Sequence, residues 1–184
     1  FILINMFLEI GSEAKSNLTN ALQKTTCYNS DRLSAIDFCI GGLGAGCIRT
    51  DGSGAINVWS IFNNKNQLRL PNSFFAISVS GQKQAKAFTI STNKTGPFEG
   101  LDKAVFRGVY PFGVYDFAES ELPVSVRMEV FNPLIPLNEK DSALPCAIFN
   151  VTVKNDSSSI QEVALLASQQ NAVGYPGYGN IEQN

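Results

Sequence analysis

Over most of the chain, apolar and polar residues alternate in short runs divided by turn residues, the period-2 pattern of half-buried strands. The cleanest run lies in Val124–Phe131, where Val124, Val126, Met128 and Val130 point one way and Ser125, Arg127 and Glu129 the other. A strand of that kind packs one face on a core and leaves the other in water, as in an antiparallel sheet. Phe74–Ser80 sets Phe75, Ile77 and Val79 on one face, and 55–62 alternates behind the turn Asp51-Gly-Ser-Gly54. Further strands are predicted over 86–92, 104–109, 114–118, 147–154 and Glu162–Ser168.

Helical periodicity is confined to 12–24, where Ala14, Leu18 and Ala21 or Leu22 share a face. Strands so regularly spaced, with no helix of crossover length between them, predict an all-β antiparallel two-sheet sandwich. Pro133, Pro136 and Pro145 make 131–145 an ordered connection outside any sheet, because each removes a donor that a ladder needs. The stretch 171–184 is rich in Gly, Tyr and Asn and reads as loop with no closing strand, so the sandwich is expected to be incomplete at its C-terminal end. The domain division is a 1–35 extension bearing the weak helix, then a sandwich over 36–184 that is part of a larger N-terminal domain.

The composition allows a sizeable core, with 44% hydrophobic residues in 184. A formal charge of −2, without a run of Lys or Arg, gives no footprint for nucleic acid or an anionic membrane. The chain has no histidine, the commonest general base and zinc ligand at neutral pH. Cys27, Cys39, Cys47 and Cys146 show no C-x-x-C spacing and read as buried free thiols, with one unassigned bridge left open. The opening apolar run 1–10 contains Glu9, has no basic flank and is too short to span a bilayer; it reads as a packed strand or the remnant of a cut N-terminus. N-x-[ST] sequons at Asn17, Asn93, Asn150 and Asn155 do not fix a compartment.

Three constellations bear on chemistry. Gly41-Gly-Leu-Gly-Ala-Gly46 has the glycine density of a phosphate loop, but the extended piece Cys47-Ile-Arg-Thr that follows is not the helix such a loop requires, so these glycines read as strand and turn. Glu139 with Asp141, and Glu119 with Glu121, are close carboxylate pairs of the kind glycoside hydrolysis employs, yet both lie in polar turns with no apolar flank to raise a pKa. Trp59, Tyr110, Phe112, Tyr115, Phe117, Tyr175 and Tyr178 could stack on sugar rings, although aromatics in a β protein mostly fill the core. No catalytic, cofactor-binding or metal-binding residue is therefore assigned.

Taken in order, Ile40-Gly-Gly-Leu-Gly-Ala-Gly-Cys-Ile48, Asp51-Gly-Ser-Gly54, 55–63, Tyr110-Pro-Phe-Gly-Val-Tyr-Asp-Phe117, Pro123-Val-Ser-Val-Arg127, Phe131-Asn-Pro-Leu-Ile-Pro136, Ser142-Ala-Leu-Pro145 and Ala147-Ile-Phe-Asn-Val151 resemble the N-terminal domain of glycoside hydrolase family 116. That family includes bacterial β-glucosidases and non-lysosomal glucosylceramidases. The resemblance spans 36–178, and Cys39 departs from it where the family has proline. It implies a two-sheet sandwich packed against a following (α/α)₆ domain of the same polypeptide, which carries the catalytic glutamate and aspartate and is absent from this chain. No residue here matches those two. The implied role is a non-catalytic domain of a retaining β-glycosidase, with carbohydrate a candidate ligand. A self-sufficient carbohydrate-binding module and a protein-interaction sandwich are the alternatives.

Overall fold

Among the described residues, the alternating segments become thirteen strands in three sheets of two layers, β1 (Ile2–Ile4), β2 (Cys27–Asn29), β3 (Asp37–Ile40), β4 (Cys47–Asp51), β5 (Ile56–Ser60), β6 (Phe74–Ser80), β7 (Lys86–Thr89), β8 (Glu99–Gly100), β9 (Lys103–Val109), β10 (Phe112–Ala118), β11 (Val124–Phe131), β12 (Ala147–Asn155) and β13 (Glu162–Ser168). The computed structural model describes residues 2–4, 20, 24–61, 67–81 and 85–172. The helix expected over 12–24 falls almost wholly outside them, as does the loop expected over 171–184. A 3₁₀ turn, Ser30–Ala35, leads into β3.

One layer is a six-stranded sheet in the order β1-β12-β11-β10-β9-β2. The other is divided between β13-β6-β7-β8 and β3-β4-β5. Pairing is antiparallel except at β1–β12 and β7–β8, which run parallel. The sandwich is thus all-β, as the pattern predicts. Its second layer is split because the three-stranded meander lies beside β6 and β7, joined to them by the Thr92 amide, which donates to the Ser53 carbonyl at 3.0 Å.

Register aligns the inward side chains of the six-stranded sheet: Phe106 faces Tyr115, Tyr115 faces Met128, and Met128 faces Val151. Val124, Val126, Met128 and Val130 are all buried, as their spacing requires. Across the layers, Phe75 meets Phe149 at 4.9 Å between ring centroids and Phe38 meets Phe106 at 5.7 Å. The outer face is polar, with Asp116 accepting from Arg107 at 2.5 Å and from Arg127 at 2.6 Å. β13 lies at a sheet edge, paired with β6, and Val163, Leu165 and Leu166 are exposed.

The proline-rich connection of 132–146 stays out of the sheets, as expected, but contains a short helix, α1 (Glu139–Ser142). Asn138 caps it, its side-chain oxygen accepting from the Asp141 amide at 3.1 Å. The expectation of buried thiols is corrected. All four cysteines are free, but Cys27 and Cys39 are exposed and Cys47 and Cys146 only half-buried. Cys39 lies on edge strand β3 between inward Phe38 and Ile40, so alternation turns it outward.

Candidate functional site

The glycine-rich segment folds as the β3–β4 hairpin turn, not as a phosphate cradle. The Ala45 amide donates to the Gly42 carbonyl at 3.0 Å, and Gly46 takes φ +86°, which a side chain resists. Gly42 is required by close approach, because a Cβ there would lie 2.0 Å from the Leu144 carbonyl oxygen. The connection of 132–146 therefore rests directly on the hairpin. Asn132 joins them through its side chain, accepting from the Gly41 amide at 2.5 Å and donating to the Cys39 carbonyl at 3.3 Å. The Leu43 amide donates to the Ser142 carbonyl at 2.8 Å, and the Ser142 hydroxyl exchanges bonds with both backbone groups of Ile135. Asn132 and Ser142 are buried, and their polar groups are consumed in fixing this junction.

The junction displays apolar side chains beside the exposed charges of Glu139 and Lys140 on α1. Leu43, Leu134, Ile135, Leu137 and Leu144 are exposed around it, and Tyr110 projects from the β9–β10 turn at the same end of the sandwich. Leu137 is the extreme case, fully exposed and at φ +64°. Its turn is closed by the Asn138 amide donating to the Ile135 carbonyl at 3.0 Å. With Pro136 and Leu137 central, this is a type II turn, whose second central position ordinarily belongs to Gly. A leucine there costs about 1 kcal/mol in backbone strain. Beside the junction is a cavity of about 50 Å³ lined by hairpin backbone, Pro145, Cys146 and Trp59. Trp59 is buried, and its indole N–H has no hydrogen-bond partner among the described residues.

The carboxylate pairs have structural work. Glu119 accepts from the amides of Asp102 and Glu121 at 3.1 and 3.0 Å, and Glu121 pairs with Lys86 at 2.7 Å. Asp102 accepts from Ser120, whose backbone amide and hydroxyl hold its carboxyl below the usual range. Glu139 is exposed on α1, and Asp141 serves the Asn138 cap. The aromatic candidates divide differently. Trp59, Tyr115 and Phe117 are core residues, Phe112 is half-buried against Phe131, and Tyr110 is exposed. Tyr175 and Tyr178 lie outside the described residues. No three metal-ligating side chains cluster among the described residues.

Tyr115 and Cys39 also have shifted protonation. Tyr115 is held up by burial, with its hydroxyl 2.9 Å from both Thr50 Oγ1 and the Asp51 carbonyl, a bridge between layers that only its depth in the core permits. The Cys39 thiol is pushed up to about 12, first by desolvation and then by the neighbouring Cys47 thiol. It is a neutral thiol at pH 7 and a poor nucleophile. No described helix is long and apolar enough to cross a membrane.

The apolar junction is what reasoning from the sequence missed. Its signal was present in part: 41–47, 132–138 and 143–147 contain no charged residue, although Glu139, Lys140 and Asp141 of α1 interrupt the connection. Only the hydrogen bonds through Asn132 and Ser142 show that these segments form one surface. Comparison with curated proteins returns no match. Residues 38–183 match the protein family described as beta-glucosidase 2, glycosyl-hydrolase family 116 N-term. With most of its length matched, the chain belongs to the N-terminal domain family of glycoside hydrolase family 116.

Proposed function

We propose that this chain is the non-catalytic β-sandwich of a β-glycosidase, supporting a helical catalytic domain on the same polypeptide that hydrolyses β-glucosides or glucosylceramide-like substrates with retention. The observation that carries the reading is the family match over 38–183, which is to an N-terminal domain. The carboxylate geometry agrees with it. Retaining hydrolysis needs one carboxyl poised to protonate the leaving oxygen and a second to attack the sugar, and the candidate pairs are instead engaged in turns, a helix cap and a surface ion pair. The test is hydrolysis of an aryl β-glucoside by the purified chain beside the full-length polypeptide. The full-length protein turns over and the chain does not; turnover by the chain that survives rigorous purification refutes the reading.

A second reading rests on a polar groove of about 570 Å³ at the β3–β5 meander, where Asp37, Arg49, Asp51, Asn57, Arg69 and Asn93 offer hydrogen-bonding groups suited to sugar hydroxyls. Titration with cello-oligosaccharides decides it. Saturable binding abolished by Arg69→Ala supports a carbohydrate site, and no heat or shift at millimolar sugar removes it.

A further inference from the structure

We propose that Cys39 and Cys47, on the outward face of the β3–β4 hairpin, form a two-thiolate site for a single soft, thiophilic cation of the Cu(I) class. The site is independent of the function proposed above. Register places the two residues. Cys39 is opposite Arg49, and Cys47 lies two residues before Arg49 on the same strand, so the thiols share one face as diagonal neighbours. Ile40 and Ile48, adjacent to them in sequence, are paired and buried, which turns both cysteines away from the core. The two side chains meet, because Cys47 acts on Cys39 through a side-chain hydrogen bond as well as through its charge. Gly41 lies against Cys47, where a Cβ would stand 3.0 Å from the Cys47 Cα, and it adds no side chain to crowd the pair. Cys39 is exposed and Cys47 half-buried, so an ion reaches them from solvent.

Distance decides what the pair can hold. Diagonal neighbours across an antiparallel ladder stand about 7–8 Å apart between Cα atoms. A disulfide needs about 4.4–6.8 Å, so a direct bond would pull the hairpin out of its register. An ion between two thiolates replaces one S–S bond of about 2 Å by two metal–sulfur bonds of about 2.3 Å, and the added reach spans the diagonal.

The number and type of donors select the ion. No three metal-ligating side chains gather among the described residues, so the tetrahedral set that zinc takes is not formed there. The Asp37 carboxylate, whose charge also acts on Cys39, is held by the Arg49 guanidinium at 2.8 Å. The donors left are two sulfurs, which suit a soft closed-shell ion that accepts linear coordination. Binding exchanges protons and involves no redox step: two thiols and one Cu(I) ion give a singly negative S–Cu–S unit and two released protons. Arg49 offsets that charge, since its guanidinium interacts with both cysteines as well as with Asp37.

The test titrates the reduced full-length polypeptide with Cu(I), anaerobically, against bicinchoninate as competing chelator. One bound equivalent should be lost in Cys39→Ser and in Cys47→Ser, its affinity falling by more than the roughly 10–100-fold that changes outside a coordination sphere cost. The same equivalent should persist in Cys27→Ser and Cys146→Ser. Cys39→Ala, at an exposed position, should unfold in urea as the metal-free wild type does, which separates lost binding from lost folding. Copper-edge X-ray absorption of the Cys27→Ser, Cys146→Ser double variant loaded with one equivalent should show two sulfur neighbours and no oxygen. Retention of the equivalent in Cys39→Ser and Cys47→Ser, or its loss in Cys146→Ser, overturns the proposal. Binding of Zn²⁺ as tight as that of Cu(I) overturns it as well. So does a Cys39–Cys47 disulfide recovered after incubation with glutathione disulfide, which makes the pair a redox couple instead.

Discussion

Replacing Tyr115 by phenylalanine removes one oxygen atom from the centre of the sandwich and leaves the ring. That oxygen bridges the layers, 2.9 Å from Thr50 Oγ1 on β4 and 2.9 Å from the Asp51 carbonyl. Tyr115 and Thr50 are both fully buried, so water cannot replace the lost partner without opening the core. Two hydrogen bonds at about 1 kcal/mol each, with some added cost for the unsatisfied acceptor, give a loss of about 2–3 kcal/mol. For a domain of this size that corresponds to a fall of roughly 4–12 °C in Tm. Urea unfolding of the purified variant, with the m-value unchanged, measures it.

The pH dependence supplies a separate check. Burial raises the Tyr115 pKa in the folded state above its ordinary value near 10. The stabilisation is therefore complete below about pH 10. It declines as pH rises further, because the unfolded chain releases the proton while the folded chain retains it. The gap between wild type and Tyr115→Phe should narrow by about 1.4 kcal/mol per pH unit above that point. A variant within about 0.5 kcal/mol of wild type at neutral pH, or a gap that widens in alkali, refutes the assignment of Tyr115 to the core.

Gly42→Ala sets a Cβ 2.0 Å from the Leu144 carbonyl oxygen, and should cost about 2–4 kcal/mol in urea unfolding as hairpin and connection are forced apart. Gly44→Ala meets open space at φ +74°, so it should lose only about 1–2 kcal/mol in the same assay. Asp116→Asn weakens the bonds to Arg107 and Arg127 on a partly exposed face, and should cost no more than about 1 kcal/mol, less in 1 M salt. Leu165→Lys places a charge on the uncovered edge strand, and should reduce self-association of the isolated chain in analytical ultracentrifugation with little change in stability.

Strands whose burial is one-sided were legible from the residues alone. Val124–Phe131 and Phe74–Ser80 end where their alternation ends, because a strand with one face on the core must keep period 2. Glu162–Ser168 was legible as a strand too, but its apolar residues point to both faces, and no local pattern told that both would be exposed. The parallel pairings of β1 with β12 and β7 with β8 have no sequence signal, since partner choice is decided by distant segments. Helix α1 was hidden by the prolines around it, though Asn138 three residues before Asp141 is a capping signature. The aromatic candidates show the same division. Residue type could not separate Tyr115, sealed in the core, from Tyr110, exposed at a turn; only the fold does so. The junction of hairpin and connection was only partly legible for a related reason, because apolar residues in loops are ordinary until hydrogen bonding gathers them.

The central claim is that this sandwich supports catalysis performed elsewhere on the polypeptide. The most direct measurement is the half-life of aryl β-glucosidase activity at elevated temperature, for the full-length protein and for the helical portion expressed with and without this chain. The account predicts that the helical portion alone carries the catalytic groups but inactivates much faster, and that adding the chain restores its lifetime. Equal lifetimes with and without the sandwich, or activity that fractionates with the sandwich, would contradict it.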